Sequence, residues 1–436
     1  MTVFFEIAYA AASERLCLFT GTGFSKAVTE NAAPNWEDLL RAVSEKLPNA
    51  DSLKTALFDA PGKNRLMLEE AAQVIAIERE KNGLPSLHAA IADIIRALSP
   101  SGDNASVEAF LSGKKLDVVT TNYDKLVENL VGVGECNSIT PGLPVPRANA
   151  RVSIYHVHGS VDSPANMVVT SDDYFRFMRG ESYFSRKLST VLYEDTVVIL
   201  GYSLGDTNLR AILSDYKGFS REQVIGGNIF LVSKDPVDQH VKDYYAYCYG
   251  IRVIDSIGIH EFFAAVSAEM TEATGCLQSS IANIQKVLGE GHSYTDNYLR
   301  LRSSFFEIVS AIRAIGRSID DPKVVEALGT IIEKKIRLTG ASGAWEQYDH
   351  LARWLIYLGG MLDVKRTSIE PIFLRAVECS MTTMSKRLSL GYSWQAYKTW
   401  SSGWFDMTAS NRTLVKAHIE KEATYKTDAL EIVARG

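Results

Sequence analysis

Apolar positions in this chain keep two rhythms. Between Leu16 and Ile254, short continuous runs at 16–19 (LCLF), 116–121 (LDVVTT), 152–157 (VSIYHV), 196–200 (TVVIL), 228–233 (NIFLVS) and 251–254 (IRVI) alternate with stretches of helical spacing. A run that is apolar without alternation suits a strand covered on both faces. Six such strands separated by helices predict an α/β fold: a Rossmann-like, doubly wound, mostly parallel sheet with right-handed crossovers. A further short extended piece is expected at Met167 to Thr170.

The first crossover is unusually long. Helical spacing at Pro34, Trp36, Leu39, Leu40 and Val43, with Pro34 and Asn35 as start signals, is followed by expected helices over 52–81 and 86–98, split at Asn82-Gly83-Leu84-Pro85. Residues from about 28 to 110 thus read as a helical insertion. Beyond about Glu272 no strand-like run follows, which predicts an all-α C-terminal domain over 272–436 after an α/β domain over 1–271. Tyr298, Leu301, Phe305, Ile308, Ile312 and Ile315 recur at steps of three and four, consistent with helix packing or a coiled-coil seam. Five of the six tryptophans lie between Trp345 and Trp404, enough bulky surface for a private core or an interface.

Composition narrows the class. A chain of 436 residues, 46% hydrophobic, can bury a large core, and its net charge of -6 argues against a main task of gripping nucleic-acid phosphates. Five scattered cysteines include no Cys-x-x-Cys pair, so a reducing cytoplasm is expected and neither a disulfide framework nor a cysteine metal site is. The N-terminus has no basic leader and carries Glu6 within its apolar run, and nowhere do eighteen apolar residues stand together. The expectation is a cytosolic chain that does not span a membrane.

Candidate chemistry collects at strand ends, where open α/β sheets bind ligands. After the first strand, Gly21 and Gly23 in GTGFS form either a plain tight turn or a loop on which backbone approaches phosphate at a helix start. After the second come Thr121, Asn122 and Asp124, where Asn122 alternatively caps the next helix. The third ends in His158-Gly159-Ser160. His156, two residues earlier, shares a face with His158, and one of the pair is a candidate structural hydrogen bonder. The fourth runs into Gly201-Tyr202-Ser203-Leu204-Gly205-Asp206. Asp172-Asp173 reads as the start of a helix and no more.

The ordered set GTGFS, TTNYD, HG and GYSLGD, across roughly residues 10–270, resembles the sirtuin-like family, and its bacterial anti-phage NAD-hydrolase branch in particular. Departures from the deacetylases are informative. Thr22 stands in the middle of the first loop where they have alanine, Thr121 precedes Asn122 where they have glutamine, and the four-cysteine zinc module has no counterpart. The resemblance implies that NAD is the substrate and that no metal is needed. It gives Gly21, Thr22, Gly23 and Ser25 to the phosphates, and Thr121 to the cofactor-binding set. Asn122 would orient the nicotinamide ribose and an attacking water, Asp124 would hold the carboxamide, and His158 would act as general base. Gly201 and Ser203 would line the ribose and phosphate region, and Ser233 the adenosine ribose.

The function so implied is hydrolysis of NAD to nicotinamide and ADP-ribose, depleting the cellular pool during infection. Alternatives are a protein deacylase or ADP-ribosyltransferase, and a non-catalytic nucleotide sensor or scaffold. The resemblance also implies a homo-oligomer and a partner, a HerA-type ATPase in preference to an Argonaute. The chain has no Gly-x-x-x-x-Gly-Lys-[Ser/Thr] loop of its own.

Overall fold

A computed structural model of the chain describes residues 3–59, 66–132, 134–146, 150–179, 183–202, 213, 229–387 and 389–435. Seven strands are described: β1 (Leu16–Thr20), β2 (Leu116–Thr120), β3 (Cys136–Ile139), β4 (Val152–His156), β5 (Thr196–Leu200), β6 (Ile229–Val232) and β7 (Ile251–Ile254). They form one wholly parallel sheet in the order β3-β4-β2-β1-β5-β6-β7. The chain winds one way from β1 to β2 and the other way to β5. Its switch point therefore lies between β1 and β5, and the carboxyl ends of the central strands open there.

The six expected strands are present, and the seventh, CNSI at β3, pairs only with β4 at the sheet edge. Its first three residues are half-buried, so it needs no apolar run and leaves no pattern to read. Met167–Val169 is not a strand, although all three residues are buried. The expected 52–81 helix is interrupted. A short helix at Ala50–Lys54 widens into a π turn at Thr55–Asp59, and a second helix runs from Leu68 to Lys81.

The insertion folds around a small core of its own. Leu40, Ile75 and Ile91 are fully buried in it, and Tyr123, Val161, Met167 and Val169 reach into it from the sheet-end loops. Side-chain caps fix two of its helices. Asn35 accepts from the Asp38 amide at 2.8 Å, and Ser86 from the Ala89 amide at 3.2 Å. Caps and core together set the insertion against the end of β2.

After β7 one helix, Ile259–Glu290, runs for 32 residues, about 48 Å at 1.5 Å per residue, and passes through residue 272 unbroken. Gly275 within it faces open space, so the missing side chain costs helix propensity but creates no clash. Of the apolar stripe noted above, Tyr298 lies in the helix Asp296–Arg300 and Phe305, Ile308 and Ile312 lie fully buried in the helix Ser304–Ala314, while Leu301 and Ile315 fall just past the helix ends and Leu301 is 52% exposed. Its buried part is intramolecular packing. Trp354, Trp400 and Trp404 are likewise fully buried, in a core continuous with one face of the sheet through Leu18, Val118, Ile154, Val198 and Phe230. Trp345 is 65% exposed. Among the described residues no helix is long and apolar enough to cross a membrane.

Glu6, the charge inside the first apolar run, joins the two halves. It is 3% exposed, accepts from Arg252 Nη1 of β7 on both carboxylate oxygens at 2.8 and 3.0 Å and from the Tyr357 hydroxyl at 2.7 Å, and pairs with Arg313. Desolvation lowers the pKa of both guanidinium groups, and Glu6 is the carboxylate that pairs with each in contact, with Asp406 adding a more distant charge near Arg252. Glu6→Gln leaves two buried cations without their paired carboxylate. Denaturant unfolding is expected to show a loss of about 3–5 kcal/mol, and an unchanged midpoint would refute the role.

Candidate functional site

The glycine turn after β1 is built on the end of β5. The Gly21 amide donates to the Leu200 carbonyl at 3.0 Å and the Gly23 amide to the Gly201 carbonyl at 2.7 Å. A Cβ on Gly21 would lie 2.3 Å from the Tyr202 ring, and one on Gly23 2.8 Å from the Gly201 Cα. Both positions therefore need glycine for close approach of the turn to β5. The amide of Gly23 is satisfied within the protein, so it is not a spare phosphate donor in this conformation.

Across β1, the end of β2 carries a short polar chain. Asn122 Nδ2 donates to Ser25 Oγ at 2.8 Å, and Ser25 Oγ donates to Asp124 Oδ2 at 2.6 Å. Asp124 Oδ1 accepts from the Leu126 amide at 3.1 Å, so both carboxylate oxygens are spent inside the protein. Burial raises the Asp124 pKa, against the lowering effect of these two bonds. Asp124 thus satisfies the first amide of the helix Leu126–Val131, whose N-cap residue, Lys125, makes no side-chain cap bond. Asn122 is free of that task, and its side chain is half-exposed beside Thr121.

The two histidines separate cleanly. His156 is fully buried, with Nδ1 against the Asn122 carbonyl at 3.2 Å and Nε2 against Glu128 Oε1 at 2.8 Å. It is the structural member, and it holds the backbone of Asn122. His158 is 4% exposed and lies edge-on to Tyr174 and Phe177, with ring centroids at 5.6 and 5.2 Å. Gly159 follows at φ +85, where an added Cβ would meet Met167 Cα at 2.8 Å, so the turn after His158 needs glycine.

A cleft of about 140 Å³ gathers these elements. Thr22, Ser25, Thr121, Asn122, Asp124 and His158 line it from the sheet side, and Pro34, Asn35, Trp36 and Leu39 from the insertion. Tyr174 completes the wall, a residue that sequence reasoning passed over although its aromatic stretch YFRF adjoins the expected helix start. Asp173 does more than start that helix. Its Oδ2 accepts from the Thr170 amide at 3.0 Å and contacts His88 Nε2 at 2.9 Å, tying the Tyr174 helix to the insertion.

Gly201 sits at the end of β5 with φ +65. Ser203 lies outside the described residues. Ser233, at the end of β6, donates to the Asp235 carbonyl at 2.8 Å and is not among the residues of the cleft. Among the described residues no group of three or more His, Cys, Asp or Glu side chains is arranged to hold a metal ion.

Glu128 was not singled out in the sequence. Burial works against its charge, but the hydrogen bond and charge of His156, with Lys125 at 2.7 Å, outweigh that cost and hold its pKa at about 2. A folded-state value below the ordinary 4.5 contributes stability that is full above pH 4.5 and lost as pH falls toward 2. The stability difference between the wild type and Glu128→Gln is therefore expected to shrink across that window in pH-dependent unfolding. A constant difference would show that the carboxylate is not held ionised.

Residues 117–254 match the family model of the SIR2-like domain. The chain carries a SIR2-like domain. The matched span holds Asn122, Asp124, His158, Gly201 and Ser233, while the glycine turn precedes it and joins the site through the pairing of β1 with β2 and β5. Relatives of the chain include defense-associated sirtuin 2 of Bacillus subtilis, 23% identical over 259 residues, 58% of this chain and 24% of that protein. The NAD(+) hydrolase ThsA of Cytobacillus dafuensis is 27% identical over 219 residues, 48% of this chain and 39% of its own length. ThsA of Enterococcus faecium is 34% identical over 109 residues, 24% of this chain and 23% of that one. The chain thus spans between about a quarter and two fifths of the relatives it matches.

Proposed function

We propose that the SIR2-like domain hydrolyses the nicotinamide–ribose bond of NAD, giving nicotinamide and ADP-ribose, and that the reaction serves to deplete the pool during phage infection. The observation that carries this reading is the convergence of Asn122 and His158 on one cleft at the carboxyl ends of β1, β2 and β4. The names of the relatives support the substrate and the setting.

Nicotinamide leaves from a cationic pyridinium, so its ring nitrogen takes the electron pair of the broken bond. The domain has mainly to favour an oxocarbenium-like ribose and to hold a water in line with it. The water oxygen bonds to the anomeric carbon and its proton passes to the base, His158. Asp124 takes the Ser25 proton, and Ser25 in turn accepts from Asn122 Nδ2. This leaves Asn122 Oδ1 as the acceptor that orients a ribose hydroxyl or the water. In this reading Ser25 and Asp124 position Asn122, and Thr22, Thr121 and Gly201 line the path of the dinucleotide.

The remaining parts of the proposal concern control. The helical half would serve assembly of the chain with itself and with a HerA-type ATPase, in the cytoplasm. A deacylase needs an acylated peptide as acceptor, and a transferase leaves a modified protein. Incubation of the full chain with NAD, with and without an acetyl-lysine peptide, distinguishes these. Equal turnover with free ADP-ribose in both supports hydrolysis, and turnover only with the peptide contradicts it.

A further inference from the structure

A second, larger cleft of about 430 Å³ lies away from the nucleotide site, along the open edge of β7. Its floor is Ile251–Asp255, five consecutive residues. One wall is the helix Gln239–Tyr249, and the other comes from the helical half, at Tyr357 and the turn Trp404–Asp406. Two latches hold the walls together. Gln239 Nε2 donates to the Phe405 carbonyl at 3.2 Å, and Arg412 pairs with Asp243.

The floor offers unused backbone. The Ile254 carbonyl accepts from the Ser233 amide of the β6 side at 2.9 Å. In a parallel ladder the N–H and C=O of one residue point the same way and alternate along the strand. Those of Val253 therefore point away from β6, into the cleft, where none of the described strands pairs with β7. An edge strand of this kind is a template for another strand.

The walls offer one unused charge. Lys242 pairs with Asp255 at 2.9 Å, Asp243 with Arg412, Arg252 with Glu6 at 2.8 Å and Arg353 with Asp349 at 2.8 Å. Asp406 alone among the charged side chains lining the cleft has no such partner among the described residues. Desolvation raises its pKa above the ordinary aspartate value, against the nearby charges of Arg252 and Lys242, which lower it without forming an ion pair.

We propose that this cleft receives an extended segment of a partner protein, which adds to β7 as an eighth strand through Val253 and places a lysine or arginine against Asp406. Main-chain bonds supply affinity in this mode, and the side chain facing Asp406 supplies choice. The floor is roughly 16 Å long at 3.3 Å per residue, which fits a segment of about five residues. Because both halves of the chain wall the cleft, the docked segment fixes the helical half to the sheet edge.

The test selects eight-residue peptides from a random display library on the full wild-type chain and measures the enriched peptides by fluorescence anisotropy. The enriched set is expected to carry a basic residue at one fixed place. Asp406→Asn is expected to weaken these peptides by about tenfold or more, and Val253→Pro, which removes an edge N–H that no other strand uses, by a similar factor. Circular dichroism verifies that each variant is folded, and Asp406→Asn alone decides if the proline variant is not. No enrichment, enrichment without a basic position, or equal binding to Asp406→Asn would overturn the proposal. None of these readings depends on NAD turnover.

Discussion

Replacing His158 by glutamine is expected to reduce nicotinamide release by about 10²- to 10⁴-fold, the usual worth of a positioned acid–base group, with little change in KM for NAD. The reason lies in the different work of the two histidines. His156 has both ring nitrogens engaged, by the Asn122 carbonyl and Glu128, and lies outside the cleft, whereas His158 lines it. Glutamine keeps roughly the bulk of the imidazole against Tyr174 and Phe177 but cannot take up a proton near neutral pH. The comparison variant is His156→Gln, which leaves the base in place and disturbs the backbone of Asn122. It is expected to lower the unfolding midpoint more than His158→Gln does, since it breaks the buried pair with Glu128. Steady-state kinetics with thermal unfolding on both variants checks this. Equal activity of His158→Gln and wild type would remove His158 from the chemistry.

Gly201→Ala is the substitution expected to damage the nucleotide loop most. A Cβ there would stand 1.9 Å from the Phe24 amide nitrogen and 2.4 Å from the Gly23 carbonyl carbon, and φ is already +65. The obstacle is backbone, which no rotamer change relieves, so the glycine turn must move off β5. The expected cost is about 2–4 kcal/mol, combining left-handed strain with overpacking, and the expected loss of NAD affinity is at least about tenfold. Gly83→Ala serves as the control. It has the same φ of +65 but nothing within 4 Å, so it carries strain without a clash. Its cost is expected near 1 kcal/mol, with affinity unchanged. If both variants unfold alike and bind alike, the contact between the turn and β5 has no role in the site.

The pattern of apolar runs made six strands legible because five are buried between layers and the sixth, β7, keeps an apolar run although only Ile251 of it is buried. CNSI at β3 escaped because an edge strand can be polar. The motif residues were also legible as positions, though their tasks were less so. Ser25 reads as a phosphate ligand from the turn alone, but its hydroxyl joins Asn122 to Asp124, a partner 99 positions away. Asp124 reads as a ligand group, but its oxygens are spent on Ser25 and the Leu126 amide. Glu128 and Tyr174 have no local signal that marks them, since their meaning comes from contacts to His156 and His158 made through the topology. The helix Ile259–Glu290 gives no sign in its periodicity that the strand region has ended, so residue 272 looked like a change of pattern inside what is one continuous element.

The central claim is that this cleft cleaves NAD by water. The most direct measurement incubates the full chain with NAD, alone and with its proposed ATPase partner, and separates the products by chromatography beside Asn122→Ala. Equimolar nicotinamide and ADP-ribose from the wild type, with little or none from Asn122→Ala, is the predicted result. Intact NAD under both conditions, with binding measured by calorimetry, would contradict hydrolysis and leave a site that only senses the dinucleotide.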